Sequence, residues 1–160
     1  VSYSKALIKT ARKLAKTGKK PQLTDLRRAV STAYYAVFSA ACASVTIALC
    51  GPRSGRRANE KVWDAVYRSI CHEQLIGALL KGAKQSQSFG PSLAKFAPRA
   101  AKLKELRHKS DYDPAYRLTR QDALSHIDEA ESALADLGMA SAEEQHSFAI
   151  SLLVKTNDRP

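Results

Sequence analysis

Apolar side chains recur along most of this chain at intervals of three and four rather than two. The longest series is Leu26, Val30, Ala33, Val37 and Ala41, which falls on one side of a helix. Tyr35 and Phe38 widen that stripe until the segment from about Thr24 to Cys50 is apolar over most of its circumference. Such a helix must be buried, inside its own subunit or against a second copy. Alanines at 29, 33, 36, 40, 41 and 43 alternate with Tyr34, Tyr35, Val37 and Phe38, so neighbouring helices approach closely at some levels while bulky side chains fill space at others.

The flanking segments are amphipathic. Tyr3 to Lys16 carries Leu7, Ala11 and Leu14 on one side and Lys5, Lys9, Arg12, Lys13 and Lys16 around the other. Gly18 and Pro21 stop it, and Thr24 or a neighbour caps the long second helix, with Asp25 in its first turn. A third helix is predicted from about Asn59 to Lys81, with Val62, Val66, Ile70 and Leu75 or Leu79 turned inward and Trp63 packed beside Tyr67, four residues on. Pro91 opens a fourth, with an inward seam of Leu93, Phe96, Ala100, Leu103 and Leu106. It runs into the polar Asp111-Tyr112-Asp113-Pro114 turn, because Pro114 disfavours helix at Asp113. Thr119 and Asp122 cap a fifth, whose seam is Leu124, Ile127, Leu134 and Leu137 and which closes at Gly138. A last helix, about Ser141 to Val154, carries Phe148, Ile150, Leu152 and Leu153. Between these lie two loops expected to be mobile, a basic one from Gly51 to about residue 58 and a polar, glycine-bounded one from Lys81 to Gly90, and a polar tail over 155–160. The expected fold is all-α: one domain over residues 1–160, an up-and-down bundle of five to six helices.

Composition adds a charge argument. At 160 residues and 44% hydrophobic content the chain can bury a proper core, and its net charge of +11 favours a polyanionic partner. Basicity that serves solubility alone is the competing reading. Asp128, Glu129, Glu131 and Asp136 make the fifth helix acidic, and this charge either confines nucleic acid to the opposite side or balances basic residues within the fold; the second is preferred. Cys42, Cys50 and Cys71 form no even disulfide framework, so a reducing, cytoplasmic setting is expected. No apolar leader follows the basic N-terminus, and the Ala29–Leu49 run is alanine-rich and broken by serines and threonines. A membrane association is therefore not expected.

Several motifs fail on inspection. Gly51 to Arg57 lacks the Gly-Lys-Ser/Thr ending of a phosphate-binding loop, though Arg53, Arg56 and Arg57 could touch phosphates from a solvated loop. His72-Glu73 would need a second histidine where Ile76 stands, and the histidines and cysteines share no metal-ligand spacing. No metal and no cofactor are expected.

The Ala-Tyr-Tyr-Ala-Val-Phe block at 33–38, followed about seventy residues later by Leu106-Arg107-His108-Lys109-Ser110-Asp111-Tyr112-Asp113-Pro114 and then an acidic amphipathic helix, resembles the HEPN family of small helical domains. The likeness runs from about Tyr3 to about Leu153. It implies a homodimer through the second and fourth helices, and a toxin–antitoxin or phage-defence protein directed at RNA or nucleotides. Many members are metal-independent ribonucleases with an Arg-x4-6-His motif, the arginine holding the scissile phosphate and the histidine moving protons. Arg107 matches the arginine. Tyr112 occupies the histidine position, with Asp111 in support, and His108 points about 100° away around the helix. Tyrosine titrates near pH 10 and is a poor base at neutral pH, so ribonuclease activity is expected to be weakened or lost. Arg28, Arg53, Arg56, Arg57, Arg99, Lys102, His108 and Lys109 are the candidate nucleic-acid contacts. Against this stands a plain alternative, in which Arg107, Asp111 and Tyr112 are a helix-end ion pair with a packed tyrosine. Tyr34 and Tyr35 are likewise either core or a source of hydroxyls for the Arg107 end. A non-enzymatic adaptor that binds a protein such as a nucleotidyltransferase is the second functional reading.

Overall fold

The computed structural model describes residues 3–53, 57–84 and 89–153, with backbone alone at 57–59, 83 and 84. Its described residues form an all-α bundle of seven helices: α1 Tyr3–Ala15, α2 Leu23–Cys50, α3 Arg57–Ser69, α4 His72–Lys84, α5 Pro91–Tyr112, α6 Arg120–Gly138 and α7 Ala142–Leu153. The long apolar helix is the centre, as its composition requires: α1, α3, α5, α6 and α7 all pack on α2. Tyr34, Val30, Val37, Val45 and Thr46 of α2 are buried to within 1% exposure. They meet Phe96, Leu93 and Leu103 of α5, Ile127 of α6 and Phe148 of α7 in one core. Each buried Val, Leu, Ile or Phe among them contributes roughly 1.5–3 kcal/mol through removal from water. Among the described residues α2 is the one helix long and apolar enough to cross a membrane, and 50% of its most apolar window is buried by the rest of the bundle.

The helix count exceeds the expected five to six because the third helix is two. The chain leaves helical geometry at Ile70 and Cys71, where the Ser69 hydroxyl bonds back to the Val66 carbonyl at 2.7 Å. The break serves packing, since α3 lies on α2 whereas α4 lies on α5 and α7. Val62, expected inside, is 56% exposed. The α2 cap also differs: Gln22, with extended backbone and no side-chain bond, precedes the helix, and Thr24 sits inside its first turn.

The polar segment expected from Lys81 to Gly90 is helical as far as Lys84. At its far end Phe89 is 9% exposed and packs edge-on against Phe148, ring centroids 5.6 Å apart. Gly82 is the residue this requires, because a Cβ there would strike the Phe89 ring. The residues between 85 and 88, like Arg56 and the polar tail, lie outside the described residues.

Polar chemistry fixes the remaining helix ends. Thr119 and Asp122 form the expected reciprocal capping box on α6. Glu144 joins two helix starts, its carboxylate accepting from Ser141 N at 2.7 Å and from Ser92 N at 2.9 Å. Burial disfavours its charge, yet these backbone donors hold its pKa below the ordinary carboxylate range. The acidic side of α6 is matched from within the fold. Arg12 of α1 bridges Asp128 and Glu131 at 2.6 Å each, and Arg99 of α5 bridges Glu129 and Asp136 at 2.9 Å each.

Candidate functional site

The polar centre of the molecule lies where the middle of α2 meets the end of α5. Tyr34 and Tyr35 are neighbours in sequence, so their side chains diverge by about 100° around the helix and do different work. Tyr34 is core, 1% exposed, with its hydroxyl 2.7 Å from His72 Nδ1. Burial pushes the Tyr34 phenol far above its ordinary pKa, so it keeps its proton. Tyr35 is half-buried, and its hydroxyl accepts from Arg107 Nη2 at 2.9 Å. Both alternatives for the tyrosine pair therefore hold, one for each ring.

Arg107 is held on several sides. Its Nε lies 2.8 Å from Asp111 Oδ2, one turn on, and the two side chains are 19% and 22% exposed. Its guanidinium carbon sits 5.5 Å from the Tyr35 ring centre and 5.4 Å from that of Tyr112, so the cation lies beside two aromatic rings. Ser31 of α2 donates to the same Asp111 oxygen at 3.2 Å. Burial opposes the arginine's charge, but the Tyr35 hydrogen bond and the charge of Asp111 raise its pKa above the ordinary value. Arg27, one turn before Ser31, anchors the end of α5 by donating to the Asp113 carbonyl.

His72 opens α4 and enters the same cluster. Its ring stacks on Phe38 at 3.8 Å and meets the Tyr35 ring edge-on at 5.8 Å. Burial first, then the charges of Arg107 and Lys104, lower its pKa below the ordinary imidazole value. Glu73 beside it pairs with Lys104 of α5 at 2.5 Å, tying the start of α4 to α5.

The structure thus unites Arg107, Asp111 and Tyr112 and disperses several of the other candidates. Tyr112 is 63% exposed, and His108 leans on its ring at 5.0 Å rather than entering the tyrosine cluster. Lys109 is exposed one turn from the helix end. Arg28 is exposed on α2 and lines a cleft of about 430 Å³ with Ser31, Tyr35 and Phe38. Arg53, three residues past the end of α2, is paired with Asp64 at 3.1 Å and lies 5.5 Å over the Trp63 ring. Arg99, expected to meet phosphate, is committed to its two α6 carboxylates. Lys102 lies on that same side, where its charge helps lower the pKa of His126, after burial as the main cause. Arg56 and the Arg57 side chain lie outside the described residues.

Sequence reasoning missed His72, Ser31 and Arg27. In the sequence His72 stands out only as half of an incomplete metal motif, and it reaches the site because of a helix break at Ile70 and Cys71 that periodicity does not mark. Among the described residues no group of three or more His, Cys, Asp or Glu side chains could hold a metal ion. Burial pushes the Cys42 thiol up to about 12, so it is an inert apolar filler. Chemically, the arrangement offers a fixed guanidinium and a neutral imidazole on either side of Tyr35, in a protein of all-α bundle class. The chain matches no family model, no curated protein and no solved structure.

Proposed function

We propose that this protein is an HEPN-like, RNA- or nucleotide-associated helical domain of the toxin–antitoxin or defence kind, with ribonuclease activity weakened or lost. The observation that carries the reading is the Arg107 guanidinium, held by Tyr35 and Asp111 and set between two tyrosine rings at a helix end. A planar, pre-oriented guanidinium suits a phosphodiester, and bases can lean on the exposed Tyr112 ring. Proton transfer is less well served. The residue one motif-length beyond Arg107 is a phenol, and His72 has Tyr34 on one nitrogen and Phe38 across its face.

The test is binding of a labelled RNA oligonucleotide across a salt series, beside incubation with total RNA. Affinity should fall linearly on a log–log plot against salt. Arg107→Ala should weaken binding, Arg107→Lys should restore only part of it, and total RNA should survive nearly intact. An affinity indifferent to both salt and Arg107→Ala overturns the proposal.

A specific observation favours the adaptor reading as the second choice. Ile150 and Leu153, three residues apart on α7, are 42% and 66% exposed, apolar side chains that a protein partner such as a nucleotidyltransferase would cover. On that reading the salt slope is flat.

A further inference from the structure

The cleft lined by Arg28, Ser31, Tyr35 and Phe38 does not end at Tyr35. A second hollow of about 410 Å³ lies against α3, and the two share Tyr3, Ser39 and Tyr67 as lining residues. The two are adjacent, and their α2 lining residues run from Arg28 to Ala43, about 22 Å at 1.5 Å per residue. That is room for about six stacked nucleotides at about 3.4 Å each.

Its walls have an unusual composition for a surface hollow. Trp63 and Tyr67 of α3 lie nearly parallel, 13° apart with centroids at 5.2 Å, and both are half-buried rather than covered. The Trp63 Nε1–H has no acceptor among the described residues. On the opposite side Ala40 and Ala43 of α2 leave space instead of filling it. Cations line both hollows: Arg28 the first, Arg53 and Arg68 the second, against a single lining carboxylate, Asp64, which Arg53 already neutralises. A stacked aromatic pair, with Arg53 lying over its Trp63 ring, and an excess of arginine over carboxylate along the walls complement a strand whose bases are free and whose backbone is anionic. An acidic peptide would use the arginines and leave the rings idle. A duplex keeps its base faces inside its own stack.

We infer that this α2–α3 groove is a track for single-stranded RNA, with bases stacking on Trp63 and Tyr67 and phosphates meeting Arg28, Arg53 and Arg68. The inference rests on the reading of the partner as RNA and extends it from Arg107 to a separate surface.

Trp63 is the single tryptophan of the chain, so its fluorescence reports on the groove without any substitution. Titrating the intact protein with a twelve-nucleotide oligouridylate should quench that emission, while a twelve-pair RNA duplex should not. Trp63→Leu should lower single-strand affinity about ten-fold or more, and Trp63→Phe, which keeps a ring, should hold it near wild type. Arg28→Ala and Arg53→Ala should each reduce the salt slope by about one. Circular dichroism checks that the Trp63 variants remain folded, and the wild-type quench stands independently of them. Binding that depends on Arg107 but produces no quench and survives Trp63→Leu overturns the groove and leaves the Arg107 reading intact. Absence of any RNA binding overturns both. A wild-type dimer that Trp63→Leu dissociates, with RNA affinity unchanged, assigns the groove to a second copy and likewise overturns the inference.

Discussion

α3 and α6 are both amphipathic helices lying on α2, and they are used in opposite ways. α6 buries Ala123, Ile127, Ala130, Ala133 and Leu137, starts with a capping box and is clamped by Arg12 and Arg99. α3 has no buried residue among its described side chains: Val62 is 56% exposed, and Trp63 and Tyr67 are half-buried at the edge of a groove. An amphipathic pattern states that a helix has an apolar side, not how completely that side is covered. Where the side is aliphatic and small, as on α6, helices close and the result is stability. Where it is aromatic and flat, as on α3, a gap remains beside it.

The largest effect that separates the two is a cavity. Ile127→Ala should cost about 2–5 kcal/mol of unfolding free energy, while Val62→Ala on α3 should stay within about 0.5 kcal/mol. Urea denaturation measures both, and equal losses would erase the distinction. Next comes the cap: Thr119→Ala should cost about 1 kcal/mol and lie wholly in the α6 end, with no change in oligouridylate affinity.

The smallest is a pH effect at the junction of α2 and α4. His72 has a folded pKa below its ordinary value, through burial and the charges of Arg107 and Lys104, with Glu73 opposing them. Between the folded and unfolded values the unfolded chain binds more protons, so stability from this residue is present above the ordinary imidazole pKa and is lost as pH falls below it. His72→Gln keeps an acceptor for Tyr34 and cannot take that proton. Its thermal midpoint should therefore drop less than wild type between about pH 7.5 and about pH 5.5. An identical drop would detach His72 from the folded-state balance.

Much of the helical skeleton was legible. Pro91 at a helix start and the Thr119–Asp122 box are local chemistry, and the structure places both as expected. The charge-balancing role of the acidic helix was also the preferred reading, because an isolated acidic stripe in a basic chain has nearby cations to meet. The break at Ile70 and Cys71 was not visible: no glycine or proline marks it, and only the different neighbours of α3 and α4 account for it. Phe89 was read with its polar surroundings, and its burial depends on a glycine in α4 and a phenylalanine in α7. At the candidate site the Arg107–Asp111 pair is local and readable at a spacing of four. The Tyr35 bond and the arrival of His72 are contacts between helices far apart in sequence.

By itself the sequence determined the helical periodicity, the central position of α2 and the excess of positive charge, because each follows from the order and type of side chains over a few turns. Only the tertiary structure decided which tyrosine is core and which one holds the arginine, that a histidine from α4 joins them, and that α3 leaves a groove along α2. These are outcomes of how rods of different length and side-chain size fit together, and no local pattern encodes the space left between them.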